Sequence, residues 1–143
     1  MTLKESLKAR SMKLTPQRAA VYEALSELGH ADAGRILAYV REHGTAHLTE
    51  ASAYNTLSLL VELGLCVKSP NPGGNMVFDI NTAPHMHIYD RIDGTLKDLP
   101  DDGTLEQLTS VLRKNKYTGY KMESVQVLLV CKPRRRKKSS RKL

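Results

Sequence analysis

The hydrophobic period of this chain changes at Gly64, and that change limits the folds open to it. Before Gly64, apolar residues recur at helical spacing in three stretches, each of which begins at a residue able to cap a helix: Thr15, Asp32 and Thr49. After it come two short strand-like runs, LCVKS and MVFDI, on either side of the turn-rich segment PNPGGN. With a further short helix over residues 2–10, this order predicts a winged helix-turn-helix DNA-binding domain over residues 1–80.

A second, smaller domain is predicted after a linker at residues 81–84. Residues 85–131 show a strand from about His85 to Ile92, a second strand, a helix and a final strand, MESVQVLLVC. We therefore predict an α+β fold, in which the winged helix is followed by a small α/β dimerisation domain with a three-stranded sheet. About fifty residues are few for an independent core, and the run VQVLLV is apolar on both faces, so we expect a homodimer.

Positive charge is concentrated at the two ends of the chain. The net charge is +7, and the segment 132–143, KPRRRKKSSRKL, carries eight cations and no anion. We predict that this segment is a disordered basic tail, which serves either as a solubilising extension or as a contact to an anionic partner. Lys13 and Arg18 are among the cations at the other end, and nucleic acid is the usual partner of such a charge distribution.

Compartment signals are few. No stretch has the roughly eighteen consecutive apolar residues of a membrane span, and the N-terminus, MTLKESLKAR, lacks the apolar centre of a signal peptide. The two cysteines, Cys66 and Cys131, form neither a disulfide framework nor a C-x-x-C motif. We expect a cytoplasmic protein without a membrane partner.

The third of the capped helices, TEASAYNTLSLLVEL, is the candidate DNA-reading helix. Opposite its apolar face it carries Ser52, Tyr54 and Asn55, which suit a major groove because Asn pairs with adenine and an aromatic ring contacts a thymine methyl group. A polar helix face on its own usually just faces water. The helix order, the wing and the phosphate-binding potential of Lys13 and Arg18 favour DNA binding here.

Two histidines one residue apart mark a candidate metal site in DINTAPHMHIYDRIDGTLKDLP, residues 79–100. If Asp93-Gly94 forms a two-residue type I′ turn, Tyr89 opposes Asp98, and Asp98 lies diagonal to His87 on the face that also carries His85. Asp79 can join them through the linker. Such nitrogen and oxygen ligands suit Fe(II), Mn(II) or Zn(II), whereas the alternative is a solvated strand. Spacing alone does not choose a further ligand among the other histidines: His30, His43 and His47.

Several short motifs together resemble the ferric-uptake-regulator family of bacterial metal-dependent repressors. They are LTPQR (14–18), SAYNTL (52–57), ELGL (62–65), FD (78–79), PHMH (84–87) and DGTLKD (93–98). The resemblance covers residues from about 12 to 131 and implies a regulator rather than an enzyme, with a double-stranded DNA operator as partner. It also implies a base-contacting role for Tyr54 and a regulatory metal site made of five ligands: His30, Asp79, His85, His87 and Asp98.

The aspartates at positions 79 and 98 and the asparagine at 55 resemble the peroxide-sensing branch of that family. In that branch Fe(II) held by three histidines and two aspartates reacts with peroxide, a ligand histidine is oxidised and DNA is released. The resemblance therefore implies Fe(II) or Mn(II) as the working metal. Zn(II) is the metal that the isolated protein could carry instead. The stretch HIYDRIDGTLKDLP is also similar to the iron-responsive branch, so iron- or manganese-responsive regulation is the alternative.

One family feature is missing from this chain. The family's structural zinc is held by two C-x-x-C pairs, but Asp90 and Asp93 occupy the positions of the first pair, and Arg134 stands where Cys131 needs its partner. A single thiolate does not make a four-cysteine site, so we expect no structural zinc. Three other functions stay open: a metal-independent winged-helix protein, a small metalloenzyme, and a basic protein that coats nucleic acid.

Overall fold

A computed structural model of the protein describes residues 2–44, 46–69 and 71–134. Most of the predicted tail at 132–143 lies outside these ranges. The chain divides into two compact units, Met1–Ala83 and Pro84–Leu143. The fold class is α+β, as predicted.

The first unit is a helical domain with a small sheet. Its helices are α1 (Leu3–Ala9), α2 (Pro16–Leu28), α3 (Ala33–His43) and α4 (Glu50–Glu62), and its strands are β1 (His30–Ala31), β2 (Val67–Ser69) and β3 (Val77–Asp79). The sheet has the order β1-β3-β2, and both pairs are antiparallel. Strand β1 was not predicted, because two residues between a helix-ending glycine and the next helix cap are too few to show a period.

Side chains close the start of each long helix where the sequence predicts a cap. Thr15 Oγ1 accepts a hydrogen bond from the backbone N of Arg18 at 3.2 Å, and Asp32 Oδ1 accepts one from Arg35 N at 2.8 Å. The helices then bury their apolar faces in one core with the sheet. The largest fully buried side chains of that core include Leu25, Ile36, Leu57, Leu60 and Phe78.

The second unit is a three-stranded sheet with one helix, as predicted. Its elements are β4 (His87–Asp90), β5 (Leu96–Asp98), α5 (Thr104–Arg113) and β6 (Leu128–Cys131). The sheet has the order β5-β4-β6, with β4 antiparallel to β5 and parallel to β6. The strands are shorter than the apolar runs suggested, and β6 takes only the last four residues of MESVQVLLVC.

No helix in the described ranges is long and apolar enough to cross a membrane.

Candidate metal centre and DNA-binding surface

The hairpin of β4 and β5 has a different register from the predicted one. His87 pairs with Asp98, and Tyr89 pairs with Leu96. The strands are therefore displaced by two residues from the predicted register, and the prediction of a two-residue type I′ turn is wrong. The reason is the side chain of Asp90, whose Oδ1 accepts hydrogen bonds from the backbone N of Ile92 at 2.9 Å and of Asp93 at 3.3 Å. These bonds stabilise a longer loop, which is a common use of aspartate in turns.

Asp90 and Asp93, at the positions where the family resemblance implies a cysteine pair, both stabilise this turn. Asp93 Oδ1 accepts hydrogen bonds from Thr95 N at 2.9 Å and Thr95 Oγ1 at 2.6 Å. The hydroxyl of Thr95 is the main reason that the pKa of the Asp93 carboxyl lies below its usual value. Across the sheet, Asp90 is the register partner of Cys131.

A cluster of His85, His87 and Asp98 lies on one face of this hairpin. The Nε2 atom of His87 lies 3.1 Å from Asp98 Oδ1, and that of His85 lies 3.6 Å from the same oxygen. The two imidazole rings have centroids 4.4 Å apart. Because the displaced register differs from the predicted one by an even number of residues, it keeps all three on one face and places Asp98 directly opposite His87.

The donor chemistry of this cluster fits a divalent transition metal. Ligand atoms of the three side chains lie within 4.8 Å of one another. Both histidine side chains are only 10% exposed, whereas that of Asp98 is 48% exposed, so the imidazoles lie in a protected site that opens on the carboxylate side. Two imidazole nitrogens and a carboxylate suit Fe(II), Mn(II) or Zn(II) and do not suit Cu(I) or an iron–sulfur cluster.

The first unit places the other two predicted ligands opposite each other. His30 in β1 is the register partner of Asp79 in β3. Directly opposed residues of an antiparallel pair carry side chains on the same face, about 5 Å apart at Cβ. Asp79 is buried, with 2% of its surface exposed. This pairing distinguishes His30 from His43, which is exposed and stacks on Tyr39 at a centroid distance of 4.1 Å.

Cys66 is the cysteine of the first unit, and burial favours its neutral thiol form. It is 1% exposed. Burial, with a smaller contribution from the negative charge of Asp79, raises the pKa of Cys66 to about 12 from an ordinary 9.0. Cys66 packs in the core, where its Sγ lies 3.9 Å from the backbone oxygen of Leu57.

We expect Cys66 to resist alkylation in the folded protein. Its raised pKa leaves almost no thiolate near pH 8, and its sulfur is out of reach of a reagent, whereas Cys131 is half-buried and should react. Iodoacetamide treatment at pH 8 followed by peptide mass spectrometry should show labelling at Cys131 and only a trace at Cys66. In denaturant both should react equally, and equal labelling without denaturant would contradict the buried thiol.

The predicted DNA-reading residues lie on the exposed face of α4. Ser52, Tyr54 and Asn55 are all exposed. Tyr54 is 41% exposed, and its ring meets the ring of Phe78 edge to face at a centroid distance of 5.7 Å. The core thus fixes the position of a side chain that faces solvent.

Lys13 and Arg18 lie next to each other before and within the first turn of α2. Arg18 Nη1 donates a hydrogen bond to the backbone oxygen of Lys13 at 2.6 Å. Lys13 is exposed and Arg18 is partly buried. Lys13 is therefore the cation presented to solvent, while Arg18 holds its backbone.

A family model brings these features together. The model of the Ferric uptake regulator family matches residues 9–129. The chain belongs to the ferric uptake regulator family. It is therefore a metal-responsive transcriptional regulator of that family and not an enzyme, as its sequence predicts.

Individual relatives agree with this assignment. The peroxide-responsive repressor PerR of Staphylococcus epidermidis is 28% identical over 130 residues, which cover 89% of this chain and 86% of that protein. The Vibrio cholerae ferric uptake regulator superposes with a TM-score of 0.74 at 21% identity, over 92% of this chain and 100% of that chain. A ferric uptake regulator from Pseudomonas aeruginosa, solved with manganese, gives a TM-score of 0.71 at 20% identity, over 94% and 100%. At these identities the two structures support the fold.

Proposed function

We propose that this protein is a homodimeric, metal-dependent repressor that binds a double-stranded DNA operator and senses peroxide through bound Fe(II), with Mn(II) as an unreactive substitute. The observation that carries the proposal is the convergence of His85, His87 and Asp98, whose ligand atoms lie within 4.8 Å of one another. A solvated strand has no need to direct two imidazoles at one carboxylate oxygen.

In this proposal one cation takes ligands from both units. His30 and Asp79 come from the first unit, where they form a cross-strand pair, and the hairpin cluster comes from the second. A shared cation would hold the two units in one orientation and, in a dimer, would fix the spacing of two α4 helices. Operator half-site spacing is a geometric requirement, and a coupling of about 1–3 kcal/mol between metal and DNA is typical of allosteric proteins.

The DNA-contacting residues of the proposal are Ser52, Tyr54 and Asn55 on α4, with Lys13 and Arg18 at the start of α2. The exposure of Lys13 and of the three α4 residues supports this assignment, and so does the hydrogen bond by which Arg18 holds the backbone of Lys13. Exposed apolar residues of β6 support the dimer: Leu129 is 44% and Val130 60% exposed in the single chain. Both lie on a strand that the sequence predicts to be covered on both faces.

Two observations favour peroxide sensing: the types of the proposed ligands, and the similarity to the peroxide-responsive repressor PerR of Staphylococcus epidermidis. Three histidines and two aspartates form the proposed set, without a thiolate. Bound Fe(II) would catalyse the transfer of one oxygen atom from hydrogen peroxide to a ligand imidazole, with the other oxygen atom leaving as water. The imidazoles of His85 and His87, with ring centroids 4.4 Å apart, would be the groups exposed to that chemistry.

The proposal is tested by loading the protein with Fe(II) under anaerobic conditions, adding peroxide, and mapping its peptides by mass spectrometry. We expect a mass increase equal to one oxygen atom on a ligand histidine, together with loss of DNA binding in a gel-shift assay. Mn(II)-loaded protein is the control and should keep both its mass and its DNA affinity. Metal-dependent DNA binding without histidine oxidation would instead support iron- or manganese-responsive regulation, and binding that is equal with metal and with chelator would reject metal control.

A further inference from the structure

A groove of about 560 Å³ runs along the exposed face of α4 in the first unit. It is lined by Tyr54 and Asn55, two of the proposed DNA-contacting residues. The groove is also lined by two acidic residues, Asp32 and Glu50, and by Asn75 from the loop before β3. Carboxylates are unexpected on a surface that approaches phosphates, because like charges repel. The role of each of the two therefore has to be explained.

Both carboxylate oxygens of Asp32 accept hydrogen bonds within the first unit. Its Oδ1 accepts a hydrogen bond from Arg35 N at 2.8 Å and caps α3, and its Oδ2 accepts one from Asn75 Nδ2 at 3.1 Å, which ties the loop to the helix. Asp32 therefore has a structural role in the groove.

Glu50 has no such role in the part of the chain that the structure describes. It is the first residue of α4, its side chain is exposed, and no hydrogen bond or ion pair within the described ranges engages its carboxylate. A Cβ added at Gly34 would lie 3.2 Å from Glu50 Oε1, so the carboxylate lies over a residue that has no side chain. It is thus an open acceptor beside Tyr54 and Asn55.

We propose that Glu50 is a specificity-determining residue that accepts a hydrogen bond from the N4 amine of cytosine in the major groove. The inference rests on the DNA-binding function proposed above. An ionised carboxylate only accepts hydrogen bonds, and the cytosine amine is the donor that Glu and Asp contact in major grooves. The N-terminal residues of a recognition helix are the ones that contact base edges, and Glu50 begins this helix.

A purely structural role for Glu50 makes a different prediction. A glutamate in the first turn stabilises its helix through the helix dipole, and its loss would lower stability without changing base preference. Base preference is therefore the property to measure.

The experiment selects binding sites from random DNA duplexes with the Mn(II)-loaded full-length protein, and then measures affinities for single-base variants of the selected site. We expect the wild type to prefer cytosine at one position of each half-site. Glu50→Ala should lose that preference, which amounts to roughly 10-fold in affinity. Glu50→Gln should move the preference towards adenine, since glutamine pairs with adenine N6 and N7.

Glu27→Ala is the matched control, because it removes one exposed negative charge from the same unit at a position outside the groove. It should leave every base preference unchanged. If the wild type selects a site but Glu50→Ala keeps all its preferences, the inference is wrong and the proposed function stands. If the wild type selects no sequence, the proposed function fails and this inference fails with it.

Discussion

Replacing His87 by alanine is expected to lower the affinity for Mn(II) by roughly 100-fold or more and to reduce DNA binding to that of the metal-free protein. Loss of a side chain that only supports a metal ligand costs about 10–100-fold, so loss of a ligand should cost at least the upper end of that range. His87 is the most constrained member of the cluster, because it lies in β4 directly opposite Asp98 with its Nε2 atom 3.1 Å from Asp98 Oδ1.

Isothermal titration with Mn(II) measures the first effect, and a gel-shift titration at fixed Mn(II) measures the second. His47→Ala is the control, since His47 is an exposed histidine outside the proposed ligand set and should bind metal as the wild type does. His30→Ala separates two roles: it should weaken metal-dependent DNA binding while the dimer stays intact. Unchanged Mn(II) affinity in His87→Ala would show that the hairpin cluster is not the metal site.

The cluster of His85, His87 and Asp98 shows which part of a hairpin can be predicted from sequence. The alternation of side chains across a strand is a local property, so the shared face of His85 and His87 follows from their spacing. The register depends on loop length, which here is set by the hydrogen bonds of the Asp90 side chain to Ile92 and Asp93. The Asp-Gly pair gave no sign of these bonds. The error did not affect the site, because a displacement by two residues keeps the face.

His30 shows what short sequence patterns leave out. A two-residue strand has no measurable period, so nothing in the sequence pattern connects His30 with Asp79, and only the family resemblance selected it over His43 and His47. The helix caps are the opposite case. The side chains of Thr15 and Asp32 each accept a hydrogen bond from a backbone N three residues ahead, and such a contact depends only on residues close in the sequence. The helix caps were therefore predicted well, whereas the selection of His30 depended on the family resemblance.

Replacing Phe78 by alanine is expected to destabilise the protein by about 3–5 kcal/mol, a large part of the stability of a small domain. Phe78 is fully buried and is the largest such side chain of the first unit, and it lies in the central strand β3 between β1 and β2. Its removal leaves a cavity where the helices meet the sheet. Chemical denaturation of the metal-free protein is the right measurement, because bound metal would add its own stabilisation.

Phe78→Leu is the companion variant, and it links the core to the DNA-binding surface. It keeps the core apolar at a cost of about 1–2 kcal/mol but removes the ring against which Tyr54 packs. A double-mutant cycle with Tyr54→Leu should give a coupling of about 0.5–1.5 kcal/mol, the range for an edge-to-face pair. We also expect Phe78→Leu to weaken DNA binding while Mn(II) affinity is retained, since a less constrained Tyr54 must be ordered on binding. Additive stabilities in the cycle, together with wild-type DNA affinity, would show that the core does not position Tyr54.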